Sequence, residues 1–268
     1  MKIGIIGFGV VGKAVANTLS KGFELVLYDK FKDLDEFEDL LNCDFVFITV
    51  PTPFDCRKNK TEDSAVVESL KKLDNLNFSN TVIIKSTLQP GFCDTYILKF
   101  NLKIAFNPEF LRESTTPNKD FKEQETVVIG TSSLEEFQSI KTMYKSVLSS
   151  KAQYCHTSPM EAEMIKCAQN TMLASRVTLA NMIYDACKAG DVNYNKVREI
   201  AFDNFEILGP HMVQVPGPDG KRGFGGKCLP KDIRAFSTVI NSDLLESIIN
   251  YNDTLRGDLS DFLKNFKK

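Results

Sequence analysis

One cysteine of this 268-residue chain lies in a setting that favours chemistry over packing. Cys228 follows a glycine-rich stretch, GFGGK at 223–227, and comes directly before a predicted helix with Pro230 in its first turn. The positive end of that helix and the flanking lysines favour the thiolate, which is the form of cysteine that attacks a carbonyl carbon. The pattern predicts a nucleophile, whereas an inert buried cysteine is expected within an apolar periodic segment.

Three glycines near the N-terminus follow a short apolar run at residues 2–6 and precede a helical pattern. Glycines at positions 7, 9 and 12 let the backbone approach a pyrophosphate, which free N–H groups at the helix start can bind. Asp29 ends the next apolar run, where a carboxylate accepts the ribose hydroxyls of NAD and repels the extra phosphate of NADP. A tight turn alone also explains the glycines, but their combination with Asp29 predicts NAD as the cofactor.

Two pairs of polar residues are each spaced by four positions. Lys166 and Asn170 share one face of a predicted helix, where an ammonium and an amide can both donate hydrogen bonds to a developing oxyanion. Glu109 and Glu113 have the same spacing. A helical Lys/Asn pair by itself is typical of a solvated surface, and only its occurrence together with the cysteine segment favours chemistry.

Six separated blocks cover most of the chain: GFGVVG at 7–12, VPTP at 50–53, KST at 85–87, FNPEFLRES at 106–114, K-x-x-x-N at 166–170 and GFGGKCLPKD at 223–232. Together they resemble the nucleotide-sugar 6-dehydrogenases of the UDP-glucose/GDP-mannose dehydrogenase family. The resemblance implies that a sugar 6-hydroxyl is oxidised to an aldehyde, captured by the cysteine, oxidised again to a thioester and released by water. Since this is a four-electron change, two NAD are reduced per sugar, and covalent capture retains the reactive aldehyde.

The resemblance also implies roles for individual residues. Cys228 is then the nucleophile, Lys166 and Asn170 stabilise the oxyanion, and Glu109 handles the hydrolytic water as a general base. Thr87 and Asp232 position that water, although both also fit purely structural roles at a strand end and in a first helical turn. The implied cofactor contacts are Gly7, Phe8, Gly9, Val10, Val11, Gly12, Asp29, Pro51, Thr52, Thr87 and Glu113. The implied substrate contacts are Glu109, Phe110, Leu111, Lys166, Asn170, Phe224, Gly225, Gly226 and Lys231.

The sequence departs from the family in two respects. Members usually continue into a second dinucleotide-like domain that closes over the nucleotide, whereas this chain stops at Lys268, so we expect a minimal form without that C-terminal domain. Members often carry an arginine in an R-I-G segment ahead of the cysteine loop, but residues 207–209 read Ile-Leu-Gly. We hypothesise that Arg222 supplies the missing charge to the substrate.

Short apolar runs alternate with helical patterns in the first half of the chain, which predicts a Rossmann-like, doubly wound, mostly parallel sheet with helices. We assign residues 1–157 to this NAD-binding domain. The predicted strands are 2–6, 24–28, 45–50, 82–85, 103–106 and 126–130, and the predicted helices are 13–19, 63–73 and 134–148.

A long helix is predicted to open a second, helical domain at residues 158–268, which carries the catalytic cysteine. Ser158, Pro159 and Glu161 form a helix-start signal, and Gly190 is expected to supply a left-handed stop, giving a rod of roughly 48 Å. We predict a homodimer through this helix, since it is apolar at Met164, Ile165, Ala168, Met172, Leu173, Leu179, Met182 and Ile183. A loop at 210–226 and helices at 230–240 and 244–266 are expected to follow.

Composition excludes several classes of protein. The 33 Lys and Arg against 35 Asp and Glu give a net charge of −2, which argues against nucleic-acid binding. We expect neither a signal peptide nor a membrane span. Seven scattered cysteines without a C-x-x-C pair favour a reducing cytoplasm over a disulfide framework. His156 and His211 lack ligand-like neighbours, so we assign no metal and no histidine base.

Two other interpretations remain open. A β-hydroxyacid dehydrogenase of the 6-phosphogluconate type also joins an NAD domain to a long helix with a Lys/Asn pair, but needs no cysteine and reduces one cofactor per turnover. A non-catalytic nucleotide-sugar binding subunit is the alternative from another class. The sequence does not distinguish which sugar or which nucleotide is bound.

Overall fold

The computed structural model of the chain describes residues 1–111, 116–209, 212–238 and 242–257. These residues form two compact units. The first comprises Met1–Thr52 and Thr61–Lys166, and the second comprises the described residues of Pro53–Lys60 and Cys167–Lys268.

The strands of the described chain are β1 (Lys2–Ile6), β2 (Glu24–Tyr28), β3 (Phe45–Ile48), β4 (Phe54–Asp55), β5 (Lys60–Thr61), β6 (Thr81–Ile84), β7 (Lys103–Phe106), β8 (Thr126–Gly130) and β9 (Gln153–Thr157). Seven of them form one sheet in the order β2-β1-β3-β6-β7-β8-β9, and β4 and β5 form a separate two-stranded sheet. Every pair of neighbouring strands in the large sheet is parallel except β7 with β8. The mostly parallel, doubly wound sheet predicted from the sequence is confirmed.

The helices of the described chain are α1 (Val10–Leu19), α2 (Ser64–Asn75), α3 (Phe92–Ile97), α4 (Pro117–Lys122), α5 (Leu134–Lys145), α6 (Pro159–Ala189), α7 (Tyr194–Arg198), α8 (Leu229–Ser237) and α9 (Asp243–Arg256). A 3₁₀ segment covers Phe37–Asn42 and a π-helical turn covers Glu199–Asp203.

The apolar strands of the first unit are buried on both faces of the sheet, which is why they read as continuous hydrophobic runs. In β1, Ile3 and Ile5 pack on one side with side chains of α1 and α5, whereas Ile6 packs on the other side with side chains of α2 and α3. β3 divides in the same way, with Phe47 on the first side and Ile48 on the second. The sheet therefore has helices on both faces.

Strand β9 is absent from the sequence prediction because it does not look like a buried strand. It lies at the edge of the sheet, parallel to β8, and its side chains at Gln153, Cys155 and His156 are exposed. The mixed polar pattern of an edge strand gives neither an apolar run nor a clear alternation. The sequence pattern also does not indicate that β8 runs antiparallel to β7. The two strands share a single bridge, between Phe106 and Gly130.

The long helix α6 begins as predicted. Ser158 and Glu161 form a reciprocal cap, with Ser158 N donating to Glu161 Oε2 at 2.7 Å and Glu161 N donating to Ser158 Oγ at 3.2 Å. It ends at Ala189, as predicted, but Asp191 rather than Gly190 takes the left-handed conformation, at φ 53°. Aspartate tolerates this region better than most residues, so the helix needs no glycine there.

The second unit contains the rest of α6 with α7, α8 and α9. Ala174, Phe224, Ile233 and Leu245 form one of its small buried clusters. The helix predicted over 244–266 ends earlier, at Arg256, because Gly257 follows with φ +80°; residues 258–268 lie outside the described part of the chain. Within the described ranges, no helix is both long and apolar enough to cross a membrane.

Candidate active site

The glycine turn between β1 and α1 has room for a dinucleotide pyrophosphate. Gly7 takes φ +91°, and a Cβ atom on Gly12 would lie 2.1 Å from the Gly7 carbonyl oxygen, so both positions require glycine. A Cβ on Gly9 would meet nothing within 4 Å, and no side chain caps α1. The first-turn N–H groups, including those of Val10 and Val11, can therefore bind a phosphate.

Asp29 follows β2 directly, at the position where folds of this type bind an adenosine ribose. Its Oδ2 accepts a hydrogen bond from Phe8 N at 2.8 Å, and its Oδ1 accepts one from Phe31 N at 3.1 Å. Burial alone would raise the pKa of Asp29, but these amide donors hold that pKa below its ordinary value. Asp29 is thus an ionised acceptor, and the residues of this unit fit NAD.

Two further segments assigned to the cofactor meet at the carboxyl ends of β3 and β6. The Thr52 hydroxyl donates to the Thr87 carbonyl oxygen at 2.6 Å, and the Ser86 hydroxyl donates to the Val50 carbonyl oxygen at 2.6 Å. Thr52 is buried, whereas Pro51 is exposed. Because parallel strands end at one edge of the sheet, these segments lie at the edge where ligands of doubly wound folds bind.

Glu109 and Lys166 form a buried ion pair in the first unit. Lys166 Nζ lies 3.8 Å from Glu109 Oε1, with side chains only 4% and 8% exposed. The second carboxylate oxygen of Glu109 accepts a hydrogen bond from Leu111 N at 2.7 Å, and Lys166 Nζ lies 5.3 Å from the centre of the Phe110 ring. Since burying two charges is costly in free energy, such a pair favours a chemical role over a purely stabilising one.

A second buried lysine, which the sequence analysis missed, hydrogen-bonds to Asn107, two residues before Glu109. Lys85 follows β6, and its Nζ donates to the Asn107 carbonyl oxygen at 3.1 Å and to Asn107 Oδ1 at 2.9 Å. The Tyr144 hydroxyl donates to the same Oδ1 at 2.6 Å. The pKa of Lys85 is lowered to about 7, mainly by burial; the nearby charge of Glu109 opposes this shift and that of Lys166 adds to it. A lysine directly after an apolar strand was the available signal.

Cys228 immediately precedes α8, in the second unit. Its carbonyl oxygen accepts a hydrogen bond from Asp232 N at 2.8 Å, so the cysteine stands at the start of the helix, as predicted. Pro230 occupies the first turn, and the Cys228 residue is partly exposed. The residue is therefore at the positive end of a helix, where a thiolate is stabilised.

Three other predicted residues come together next to this helix start. Asp232 lies one turn after Cys228 and is fully buried. Asn170 Nδ2 donates a hydrogen bond to Asp232 Oδ2, and Lys231 Nζ lies 2.7 Å from Asp232 Oδ1. The long helix α6 thus supplies an amide to the second unit at Asn170, and Lys166 lies one turn earlier on the same helix.

The glycine loop ahead of Cys228 has backbone shapes that explain its composition. Gly223 and Gly226 take φ +75° and +76°. A Cβ on Gly225 would lie 1.4 Å from Arg256 Nη2, and Arg256 Nε donates to the Phe224 carbonyl oxygen at 3.2 Å. The Phe224 ring is buried in the core, so only the backbone of this residue is available to a ligand.

Arg222 is engaged within its own unit. Its Nη2 lies 2.5 Å from Asp185 Oδ2, and its Nε donates to Asn181 Oδ1 at 3.3 Å. A substrate contact for Arg222 therefore stays a prediction that requires this ion pair to open.

Glu113 lies outside the described residues. Among the residues that the structure describes, no group of three or more histidine, cysteine or acidic side chains is arranged to hold a metal ion.

Comparison with known proteins matches both units to one family. The NAD binding domain of the UDP-glucose/GDP-mannose dehydrogenase family matches residues 29–148, and its central domain matches residues 160–254. UDP-glucose 6-dehydrogenase of Rickettsia bellii is 33% identical over 227 residues, which are 80% of this chain and 50% of that protein. The Campylobacter jejuni protein of the same name is 29% identical over 292 residues, covering 94% of this chain and 72% of that protein. This chain spans about half the length of the Rickettsia proteins it matches.

Solved structures agree in fold. A UDP-glucose dehydrogenase from Pyrobaculum islandicum has a TM-score of 0.82 at 23% identity, covering 94% of this chain and 68% of that chain. A UDP-D-ManNAc dehydrogenase from Pyrococcus horikoshii has a TM-score of 0.81 at 22% identity, covering 95% and 69%. With its glycine turn, its ionised Asp29 and its matches to both family domains, this NAD-binding chain belongs to the UDP-glucose/GDP-mannose dehydrogenase family.

Proposed function

We propose that this chain oxidises the C6 alcohol of a nucleotide sugar to a carboxylate with two NAD, and that its substrate is UDP-glucose. The observation that carries the proposal is the hydrogen bond between Asn170 and Asp232. Asp232 lies one helical turn after Cys228. That arrangement gives a cysteine at a helix start both a neutral donor and a buried carboxylate, which nucleophilic catalysis at a carbonyl uses. UDP-glucose is chosen because several similar curated proteins bear the name UDP-glucose 6-dehydrogenase.

NAD, which the Gly7–Gly12 turn and Asp29 would hold, would serve as the hydride acceptor for two oxidations at C6. In the first, the Lys166 ammonium and the Asn170 amide hold the C6 oxygen, and the hydroxyl proton passes to a water molecule positioned by the Asp232 carboxylate. Asn170 uses one N–H on Asp232, and its amide nitrogen carries a second N–H that can serve the substrate. The Glu109 carboxylate lies 3.8 Å from the Lys166 ammonium and holds it in position.

Capture of the aldehyde follows. The Cys228 thiolate forms a C–S bond to C6, and the aldehyde oxygen becomes the oxyanion of a thiohemiacetal, stabilised by the same two donors. Loss of the second hydride converts this adduct to a thioester. The partial positive charge at the start of α8 favours the thiolate both as attacking and as leaving group.

Hydrolysis completes the reaction. Glu109 takes a proton from water as the water oxygen attacks the thioester carbon, and the C–S bond then breaks to give the uronic acid and free Cys228. Thr87 and Asp232 position this water. The remaining predicted substrate contacts are Phe110, Leu111, Lys231, Arg222 and the backbone of Phe224, Gly225 and Gly226.

The functional form is proposed to be a homodimer through α6. Along the outer side of this helix, Met172, Leu179 and Met182 are 71%, 56% and 51% exposed, and Ile165 is 38% exposed. Their successive spacings of seven, seven and three residues are those of a helix packing against a partner helix. A second copy would bury this stripe.

Seven free cysteines fit a reducing compartment, and we propose the cytoplasm.

Purified protein should be assayed with NAD and UDP-glucose, GDP-mannose or UDP-N-acetyl sugars, following NADH absorbance. UDP-glucose is expected to be oxidised to UDP-glucuronate. Cys228→Ser is expected to form no uronic acid, at a loss of at least about a thousandfold, while the exposed Cys155→Ser serves as the matched control. A Cys228→Ser enzyme as active as wild type refutes the thioester route. An inactive wild type that binds NAD instead indicates a binding subunit.

A further inference from the structure

An ammonium group lies directly on the carboxylate that marks the ribose end of the NAD site. Lys32 Nζ is 3.1 Å from Asp29 Oδ2 and 2.5 Å from the Phe8 carbonyl oxygen. The Lys32 side chain is 43% exposed, whereas that of Asp29 is 13% exposed. Lys32 therefore reaches this carboxylate from the solvent side, where its ammonium is free to exchange one anionic partner for another.

A second lysine adds to the positive charge at this place. Lys13 and Lys32 both lie against the Phe8 ring, with Nζ atoms 5.9 and 5.6 Å from its centroid. One carboxylate and two ammonium groups give a local charge of about +1, in contrast to the −1 of Asp29 alone. The neighbouring Lys30 is not part of this group, since its Nζ is bonded to Glu68 at 3.0 Å.

A carboxylate at the end of the second strand selects for a ribose 2′-hydroxyl, and a cationic side chain nearby accommodates a 2′-phosphate. This chain holds both kinds of group within hydrogen-bond distance. We propose that Lys32 sets how strongly the chain discriminates between NAD and NADP. With NAD, Lys32 stays on Asp29 while the carboxylate accepts the ribose hydroxyls. With NADP, the ammonium turns to the 2′-phosphate and Lys13 reinforces it.

The expected size of the effect follows from the charges. A single positive charge about 5 Å from a phosphate in a water-exposed site changes affinity by about tenfold. Removal of the Lys32 charge should therefore widen the preference for NAD over NADP by about tenfold. Because the site is exposed, the effect should shrink in 0.5 M salt.

The test is direct binding of NADH and NADPH, followed by cofactor fluorescence at low ionic strength. Lys32→Ala removes the charge, and Lys32→Met removes it while keeping an apolar stem over the Phe8 ring. Lys30→Ala is the matched control, because it removes an exposed lysine two positions away that is bonded to Glu68. We expect both Lys32 variants to weaken NADPH binding about tenfold and NADH binding less than twofold, with no change in Lys30→Ala.

A shift of at least fivefold in the ratio of the two dissociation constants in both Lys32 variants, exceeding that in Lys30→Ala, supports the proposal. A smaller shift, an equal shift in the control or an equal loss of both cofactors overturns it. The measurement needs no sugar substrate, so its failure is separate from a failure of the proposed oxidation.

Discussion

Replacing Lys85 by methionine should abolish one specific pH dependence of stability. Lys85 is fully buried, and burial lowers its pKa from 10.5 to about 7. The unfolded chain keeps the lysine proton up to about pH 10.5, whereas the folded chain releases it near pH 7. Between these values the unfolded state binds more protons, so the free energy of unfolding rises with pH; below pH 7 both states are protonated and the rise stops.

The magnitude follows from that single proton. One proton bound only by the unfolded state changes the free energy of unfolding by about 1.4 kcal/mol per pH unit. From pH 7.0 to 8.5 the gain is about 1.5 kcal/mol, because the folded lysine is already half deprotonated at the lower limit. The groups that face Lys85 are Asn107, Phe121, Glu109 and Lys166, and burial raises the pKa of the neighbouring Tyr144 beyond this range.

Urea unfolding at pH 7.0, 7.5, 8.0 and 8.5 measures the effect as the difference between wild type and Lys85→Met, which cancels all shared titrations. Tyr144→Phe is the matched control, since it removes a buried donor to Asn107 but keeps the lysine. It should cost about 1 kcal/mol at every pH and retain the rise. A Lys85→Met protein with an undiminished rise, or a Tyr144→Phe protein without one, would refute the reasoning.

Three further changes have defined outcomes. Gly9→Ala should leave the melting temperature within about 2 °C yet weaken NAD binding at least tenfold, since its Cβ meets only the space left for the pyrophosphate. Gly12→Ala should lower the melting temperature by more than about 5 °C, because a backbone oxygen lies 2.1 Å from the new atom. Calorimetry and cofactor titration distinguish the two variants, and equal behaviour contradicts the assignment of this turn to the pyrophosphate. Leu179→Glu should dissociate the dimer in sedimentation velocity, whereas Lys188→Glu, at an exposed position on the opposite face of α6, should not. A persistent dimer in the first variant argues against α6 as the interface. Glu163→Ala should cost about 2 kcal/mol in urea unfolding, because its buried carboxylate accepts two backbone N–H groups at the start of α3, and an unchanged midpoint would show these bonds to be dispensable.

The sheet of the first unit was predictable because its signals are local. Strands buried on both faces appear as apolar runs, and Gly7 and Gly12 are required because a side chain at either position would meet the backbone. Helix α6 was predictable for a similar reason, since Ser158 and Glu161 encode its start. The edge strand β9 was not predictable, because half-exposed polar residues lack the periodicity of a core strand.

Site residues were predicted unevenly for a physical reason. Motifs single out Cys228 and Asp232 as candidates, but the partners of a side chain depend on tertiary contacts between distant segments. No spacing in the sequence indicates that Lys85 bonds to Asn107, 22 positions away, or that Arg222 pairs with Asp185. The contact between the Lys32 ammonium and Asp29 was not predicted for the same reason, since the dinucleotide-binding motif includes Asp29 but not Lys32.

The molar ratio of NADH formed to nucleotide sugar consumed tests the four-electron oxidation most directly. Both quantities can be followed in one reaction, with NADH read by absorbance and sugar nucleotides separated by chromatography. A thioester route through Cys228 requires two NADH for each sugar and a uronic acid as the only product. A ratio of one, with an aldehyde or ketone as product, would contradict it and indicate a two-electron dehydrogenase.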